Sequence, residues 1–273
     1  MSRSTRWSAV LVLVLVIWSV LPVVWVFKMS ISDQRDLFSA PPQIVPRNPT
    51  FTHYATVLLD PVFRAGLVNS VLIAGTTTLL CIVLGSVAAY PLARLRFPAR
   101  STVMTAFLVV AYFPTVAIIA PLFKQLRSAG LLDTYPAIIA VDTAFALPLS
   151  IWIMVAFFRK LPGELEEAAQ IDGAGIRQTF LLVVAPLAVP GLVTAGILTF
   201  VFAWNEFLFA NTFLFDQARW PVTVVIPSYA SRHSVDYGAQ AAATIIVTVP
   251  LAATVLALQR RLVEGLTSGA LKG

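Results

Sequence analysis

Two groups of residues in this sequence stand where chemistry or docking is possible. The first is the run Arg159-Lys160-Leu161-Pro162-Gly163-Glu164-Leu165-Glu166-Glu167-Ala168-Ala169-Gln170-Ile171-Asp172-Gly173-Ala174. The second is Asp142, Trp204, Asn205 and Glu206, which interrupt otherwise apolar stretches. Acids in such a setting are costly and usually face a bundle interior or a wet cavity. Trp204 offers a flat ring face for stacking, and Asn205 and Glu206 offer hydrogen-bonding groups. Their alternative role is interhelical bonding across a helix bundle. Other chemistries lack their groups. No Gly-x-x-x-x-Gly-Lys-Ser/Thr loop occurs, so a phosphate cradle must come from another polypeptide. No His-Glu-x-x-His and no Gly-x-Ser-x-Gly occurs. Cys81 is the single cysteine, which excludes an intrachain disulfide and a cysteine metal cluster. His53 and His233 are isolated and read as exposed loop histidines.

The elements that must hold these residues are membrane helices. Hydrophobic residues make up 58% of the chain and charged ones 12%. Soluble domains sit near about 45–50% and about 25%. Six apolar stretches stand out, approximately Ala9 to Phe27, Val68 to Tyr90, Thr102 to Phe123, Ala137 to Phe158, Leu187 to Phe209 and Ala239 to Leu258. Each is near the length that crosses about 30 Å of hydrocarbon. The first follows Arg3 and Arg6 but is too long for a signal peptide and lacks a small-residue cleavage site. The fold class expected is all-α, a polytopic membrane protein with six transmembrane helices. The net charge of +6 does not argue for nucleic acid, because the cations cluster beside apolar runs. Of the 19 Lys and Arg, 11 lie on the side of the N-terminus, among them Arg94, Arg96, Arg100, Arg159, Lys160, Arg260 and Arg261, in segments that are shorter in total, so cation density is higher there. Both termini are therefore expected in the cytoplasm. The first outer segment, Lys28 to Gly66, holds Pro41, Pro42, Pro46 and Pro49 and reads as irregular. Asn211 to Gly238 reads as a long outer loop. The expected organisation is an N-terminal helix with its loop over 1–66, a transmembrane core over 67–258 that contains the inner loop 159–186, and a tail over 259–273.

The long inner loop, 159–186, predicts a helix–turn–helix. Pro162 suits a helix start, and Glu164, Glu166 and Glu167 lie near the positive end of its dipole. Asp172-Gly173 ends it, since glycine accepts the left-handed conformation. A second helix is expected from Ile176 to Val184. Pro186 and Pro190 then disturb entry to the fifth span. Ala168 and Ala169 make one side flat, so another backbone can approach. The residues alone leave two readings open: a docking surface for a separate soluble protein, or an ordinary acidic loop at the membrane face. Gly75, Gly85, Gly191 and Gly196 read as sites of close helix packing.

Glu167-Ala168-Ala169, with Gly173, Val183 and Pro186 following, resembles the EAA motif of ABC-importer permeases. The form Glu-Ala-Ala-x-x-Asp-Gly-Ala with Phe180 and Pro186 is similar to the carbohydrate, maltose-type branch of the MetI-like family. Asn69-Ser70, Ala89 to Arg94, Pro121-Leu122-Phe123, Gly130 to Thr134, Trp204-Asn205-Glu206 and Gly265 to Gly273 resemble the same branch, so the likeness spans nearly the whole chain. Pro91 and Leu271 depart from its usual pattern. The resemblance implies that Glu164, Glu167, Ala168, Ala169, Asp172, Gly173, Ala174 and Pro186 form a coupling helix and its flank, seated in an ATP-hydrolysing subunit. It implies that Leu266, Thr267, Ser268, Gly269 and Lys272 reach the ATPase dimer interface, and that the last outer loop probes the docked binding protein. It further implies a homologous second permease subunit, an ABC ATPase dimer, an extracytoplasmic binding protein and a sugar-like substrate. No cofactor is expected on this chain; ATP and Mg belong to the partner ATPase. An ion-coupled secondary transporter would need coupling-ion ligands near the midplane, where Asp142 is weak support. A membrane enzyme would need convergent catalytic groups, and none are apparent.

Overall fold

A computed structural model describes residues 3–39, 41, 43–95, 97–230 and 236–270. The described chain is helical apart from turns and one isolated bridge, Ser32 to Pro49. Its elements begin with α1 (Arg3–Ser30), α2 (Gln34–Leu37), α3 (Thr52–Leu59) and α4 (Pro61–Arg94). Next come α5 (Arg100–Ala111), α6 (Thr115–Ser128), α7 (Tyr135–Phe158) and α8 (Glu164–Ile171). A continuous arm then joins α9 (Ile176–Gln178), a π-helix (Thr179–Val184) and α10 (Ala185–Leu187). The chain ends with α11 (Val189–Trp204), α12 (Leu208–Phe213), a 3-10 turn (Gln217–Arg219), α13 (Val222–Ser228) and α14 (Tyr237–Ala270).

Four helices are long and apolar enough to cross a membrane, and two bent pairs raise the number to six. Among the described residues the candidates therefore number four, or the expected six when each bent pair is counted as one span. α7 is the central post. It packs on α4 and α11, and 67% of its most apolar window is buried. α14 joins this trio through α11 and α3, and α1 leans on α14 with its side chains outward. An apolar helix exposed all round is stable only in lipid or against another apolar surface.

Several boundaries differ from the sequence reading. α4 starts at Pro61, not Val68. Asp60 caps it by accepting the Val62 amide at 2.9 Å, and Pro61 occupies its first turn. The outer segment before it is partly helical, not irregular throughout, because α2 and α3 form there. His53 is buried on α3: its Nε2 lies 3.0 Å from the Ser32 carbonyl and its Nδ1 3.4 Å from Asp236 Oδ1. The reading of His53 as an exposed loop residue is thus corrected; His233 lies outside the described residues. The third span breaks at Tyr112 to Pro114. The fifth ends at Trp204, and Asn205 to Phe207 form a break before α12.

The segment Asn211 to Gly238 is not simply an outer loop. α13 is buried against α4, with Val222 and Val225 almost fully covered. Asn69 donates to the Ala218 and Trp220 carbonyls at 2.9 and 3.0 Å, and Ser70 Oγ accepts the Val222 amide at 2.9 Å. Such bonds satisfy backbone that would otherwise be orphaned at membrane depth. Close helix approach holds for three of the four glycines. A Cβ on Gly191 would stand 2.3 Å from Phe157 Cγ, one on Gly196 2.9 Å from Ile82 Cδ1, and one on Gly85 3.1 Å from Ser150 Oγ. Gly75 has nothing within 4 Å and so does not serve this purpose.

Candidate functional site: an exposed lever and a buried acid crevice

α8 forms as its sequence dictates. Three acids occupy its first turn, where they complement the positive end of the dipole. Gly173 adopts φ +85°, and its amide donates to Gln170 O at 3.0 Å. The Ala174 amide donates to Ala169 O at 2.9 Å, which completes a Schellman stop. Glu164, Glu167, Ala168, Asp172, Gly173 and Pro186 are exposed, and Ala169 and Ala174 are half-buried. Ile171, Ile176 and Leu182 are exposed beside them, at 86%, 75% and 73%. This apolar surface, rimmed by acids, is the candidate docking face.

The residue that fastens α8 to the bundle is Glu166, which the sequence reading treated only as a dipole acid. It is buried, with Oε1 2.6 Å from Arg94 Nε and Oε2 accepting from Tyr90 Oη at 3.0 Å. Arg94 also donates to the Leu161 carbonyl at 2.9 Å. Tyr90 and Arg94 stand one turn apart on α4, so both reach the same carboxylate. The signal was legible in part: at about 100° per residue Glu166 cannot face the same way as Glu164 and Glu167.

The arm beyond α8 packs back onto the bundle. Phe180 sits between Tyr90 at 5.0 Å and Phe158 at 6.2 Å, and Val184 is fully buried. At Ala188 the chain bends by 75° into α11. Pro186 and Pro190 flank that bend, as expected from their effect on helix entry. α11 then runs to the break holding Asn205 and Glu206.

Asp142 and Glu206 line one tight crevice, too narrow to admit a water molecule, together with Ser70, Ile138, Ala203 and Pro221. Asp142 on α7 is fully buried, and neither carboxylate oxygen has a partner among the described residues. Glu206 accepts the Phe209 and Ala210 amides at 2.7 and 3.0 Å and so caps α12. Its carbonyl accepts from Thr223 Oγ1 at 2.6 Å, which ties the break to α13. Trp204 and Asn205 do not join this crevice. Trp204 is buried against Phe200, ring centres 5.5 Å apart. Asn205 is exposed and bonds the Val201 carbonyl of its own helix at 2.7 Å.

At the end of the bundle opposite α8 a polar knot closes the structure. Asp133, at φ +60°, accepts the Phe215 and Asp216 amides at 2.9 and 3.1 Å and pairs with Arg219. Burial alone would raise its pKa; those amides and the guanidinium outweigh it and hold the carboxyl below its ordinary value. Of the C-terminal residues, Leu266, Thr267, Ser268 and Gly269 lie on the continuous helix α14, and Lys272 lies outside the described residues.

Comparison with known proteins bears on this geometry. The family model described as binding-protein-dependent transport system inner membrane component matches residues 81–268. The trehalose transport system permease protein SugB of Mycobacterium tuberculosis is 41% identical over 273 residues, covering 99% of this chain and 98% of that protein. The diacetylchitobiose uptake system permease protein NgcG of Streptomyces coelicolor is 35% identical, covering 98% and 90%. The trehalose/maltose transport system permease protein MalG of Thermococcus litoralis is 36% identical, covering 92% and 91%. Among solved structures, a chain of a bacterial ABC transporter involved in alginate import superposes with a TM-score of 0.79 at 24% identity. That match covers 95% of this chain and 98% of the other and speaks for the fold alone.

Proposed function

Because this chain belongs to the binding-protein-dependent transport system inner membrane components, we propose that it moves a sugar or sugar derivative, driven through α8. It is the multi-pass membrane permease of such an importer and not the ATPase. The relatives named for trehalose, diacetylchitobiose and maltose transport support a carbohydrate substrate. The observation that carries the mechanism is the seating of α8: exposed outward, and fixed inward by Glu166 to Arg94 and Tyr90.

In this reading, an ABC ATPase dimer grips Glu164, Glu167, Ala168, Ala169, Asp172, Gly173 and Ala174. ATP and Mg reside in that dimer, and this chain holds no cofactor. Closure of the dimer pushes α8; the clamp passes the push to α4, and the arm past Pro186 passes it to α11. Each conformation is stabilised by a different partner contact, so the partners set the equilibrium. Leu266, Thr267, Ser268, Gly269 and Lys272 add a second contact to the ATPase. A homologous permease completes the path, and an extracytoplasmic binding protein delivers substrate at the end carrying Asp133 and Arg219. Both termini are cytoplasmic. Asp142 and Glu206 border the path where α7, α11 and α13 converge, and Trp204 and Asn205 flank it less directly.

Proteoliposomes holding the complete importer and its loaded binding protein test this. Radiolabelled sugar uptake requires internal ATP and stops without the ATPase subunit. Uptake that continues without that subunit and collapses with an uncoupler overturns the proposal.

A further inference from the structure

Three arginines converge at the α8 end of the bundle for which coupling supplies only one use. Arg94 ends α4, Arg100 opens α5, and Arg159 follows α7. They line one open cavity of about 850 Å³ together with Ser101, Thr105 and Trp152. Arg94 is committed to Glu166 and Leu161. Arg100 donates one bond to the Ala93 carbonyl at 3.3 Å, while its Nε is buried with no partner among the described residues. Burial, and next the charge of Arg100, hold the Arg159 pKa below its ordinary value. No carboxylate is among the described residues lining the cavity. A recess lined by three guanidinium groups and no carboxylate suits a phosphate, which accepts several such bonds.

The cavity does not stop at the arginines. A second, shallow and open apolar trough of about 580 Å³, formed by one face of α5 alone, shares Ser101 and Thr105 with it and continues past Ala106, Val109 and Val110. From Ser101 to Val110 a helix rises about 13.5 Å. One leaflet of hydrocarbon is about 15 Å deep, half of the usual core. A charged recess at the helix ends, continued by an apolar trough one leaflet long, has the outline of a lipid. We propose that these joined cavities bind an anionic phospholipid from the leaflet at the α8 end. The headgroup phosphate sits among Arg94, Arg100 and Arg159, and one acyl chain lies along α5. Basic recesses between membrane helices favour such headgroups. A free phosphate has the same charge chemistry but no use for the trough.

The test uses the whole importer, purified in neutral detergent and titrated under native mass spectrometry. The probes are phosphatidylglycerol, phosphatidylcholine with the same chains, and inorganic phosphate. Phosphatidylglycerol binds the permease subunit more tightly than phosphatidylcholine. Arg100→Gln and Arg159→Gln each weaken it about fivefold, the share of one surface cation. Val109→Trp, at an exposed position, fills the trough and displaces the lipid while leaving any phosphate binding unchanged. If Arg100→Gln prevents assembly, Arg159→Gln and Val109→Trp carry the comparison. Equal binding of the two lipids, or indifference to the loss of Arg159, overturns the proposal. Phosphate binding that is sensitive to the arginines, with lipid binding indifferent to Val109→Trp, also overturns it and leaves a free-anion site.

Discussion

Replacing Glu166 by glutamine removes the negative charge from the clamp while keeping the side chain's length and an acceptor for Tyr90. Hydrogen bonds to charged groups are worth about 1.5–3 kcal/mol. Breaking a fully buried pair costs about 3–5 kcal/mol, much of it the stranded partner. Here the side chains are 12% and 19% exposed, so water screens little. Arg94 also keeps its bond to Leu161, 2.9 Å away, which lowers the cost. We expect Glu166→Gln to loosen α8 from α4 by about 2 kcal/mol, or roughly thirtyfold in the equilibrium. Hydrogen–deuterium exchange of peptide 164–174 in the assembled importer reads this directly, as amides that exchange up to about thirtyfold faster. Tyr90→Phe, losing one neutral donor, gives about fivefold. Arg94→Gln combined with Glu166→Gln changes little beyond either alone, because the two share one interaction. Wild-type exchange in Glu166→Gln, or strictly additive effects in the pair, would refute the clamp.

Three further outcomes follow from the geometry. Gly191→Ala drives a Cβ into Phe157 and lowers stability by about 1–3 kcal/mol, whereas Gly75→Ala, facing open space, stays within about 0.5 kcal/mol; thermal unfolding compares them. Asp133→Asn weakens the knot at the end opposite α8, and the effect depends on pH. A carboxyl held below its ordinary pKa contributes stability that is present above the unfolded value and lost as pH falls through the folded one. The melting-temperature gap between Asp133→Asn and the parent is therefore open at neutral pH and closes on acidification below the ordinary carboxylate range. Glu206→Ala removes two amide caps of α12, a loss of about 1–2 kcal/mol, and reduces sugar uptake while the importer still assembles; parental uptake rates speak against Glu206 bordering the path.

Features fixed by neighbours in sequence were legible beforehand. α8 and its stop follow from acids in a first turn and an Asp172-Gly173 end, all within one short run. The six apolar stretches announced spans, and Pro186 and Pro190 announced the bend into α11. What escaped was fixed by distant partners. The start of α4 lies ahead of its apolar run, at the local start signal Asp60-Pro61, so hydropathy alone does not mark it. α13 is only seven residues long and cannot be told from a loop by length; its burial depends on Asn69 and Ser70 of α4. Glu166 looked like its neighbours until Arg94 and Tyr90 arrived from another helix. The proposed path residues divided for the same reason. Asp142 and Glu206 converge because α7 and α11 pack, while Trp204 turns to Phe200 and Asn205 to its own backbone.

The exposed face of α8 is where the ATPase must grip if it drives transport. A cysteine at Ala168, with the natural Cys81 left in its fully buried position, can be paired with single cysteines on the ATPase subunit. In proteoliposomes importing sugar, we expect a disulfide between the two subunits that arrests uptake and is reversed by reductant. Steady import with Ala168→Cys never linked to the ATPase, while positions elsewhere on the permease do link, contradicts the account.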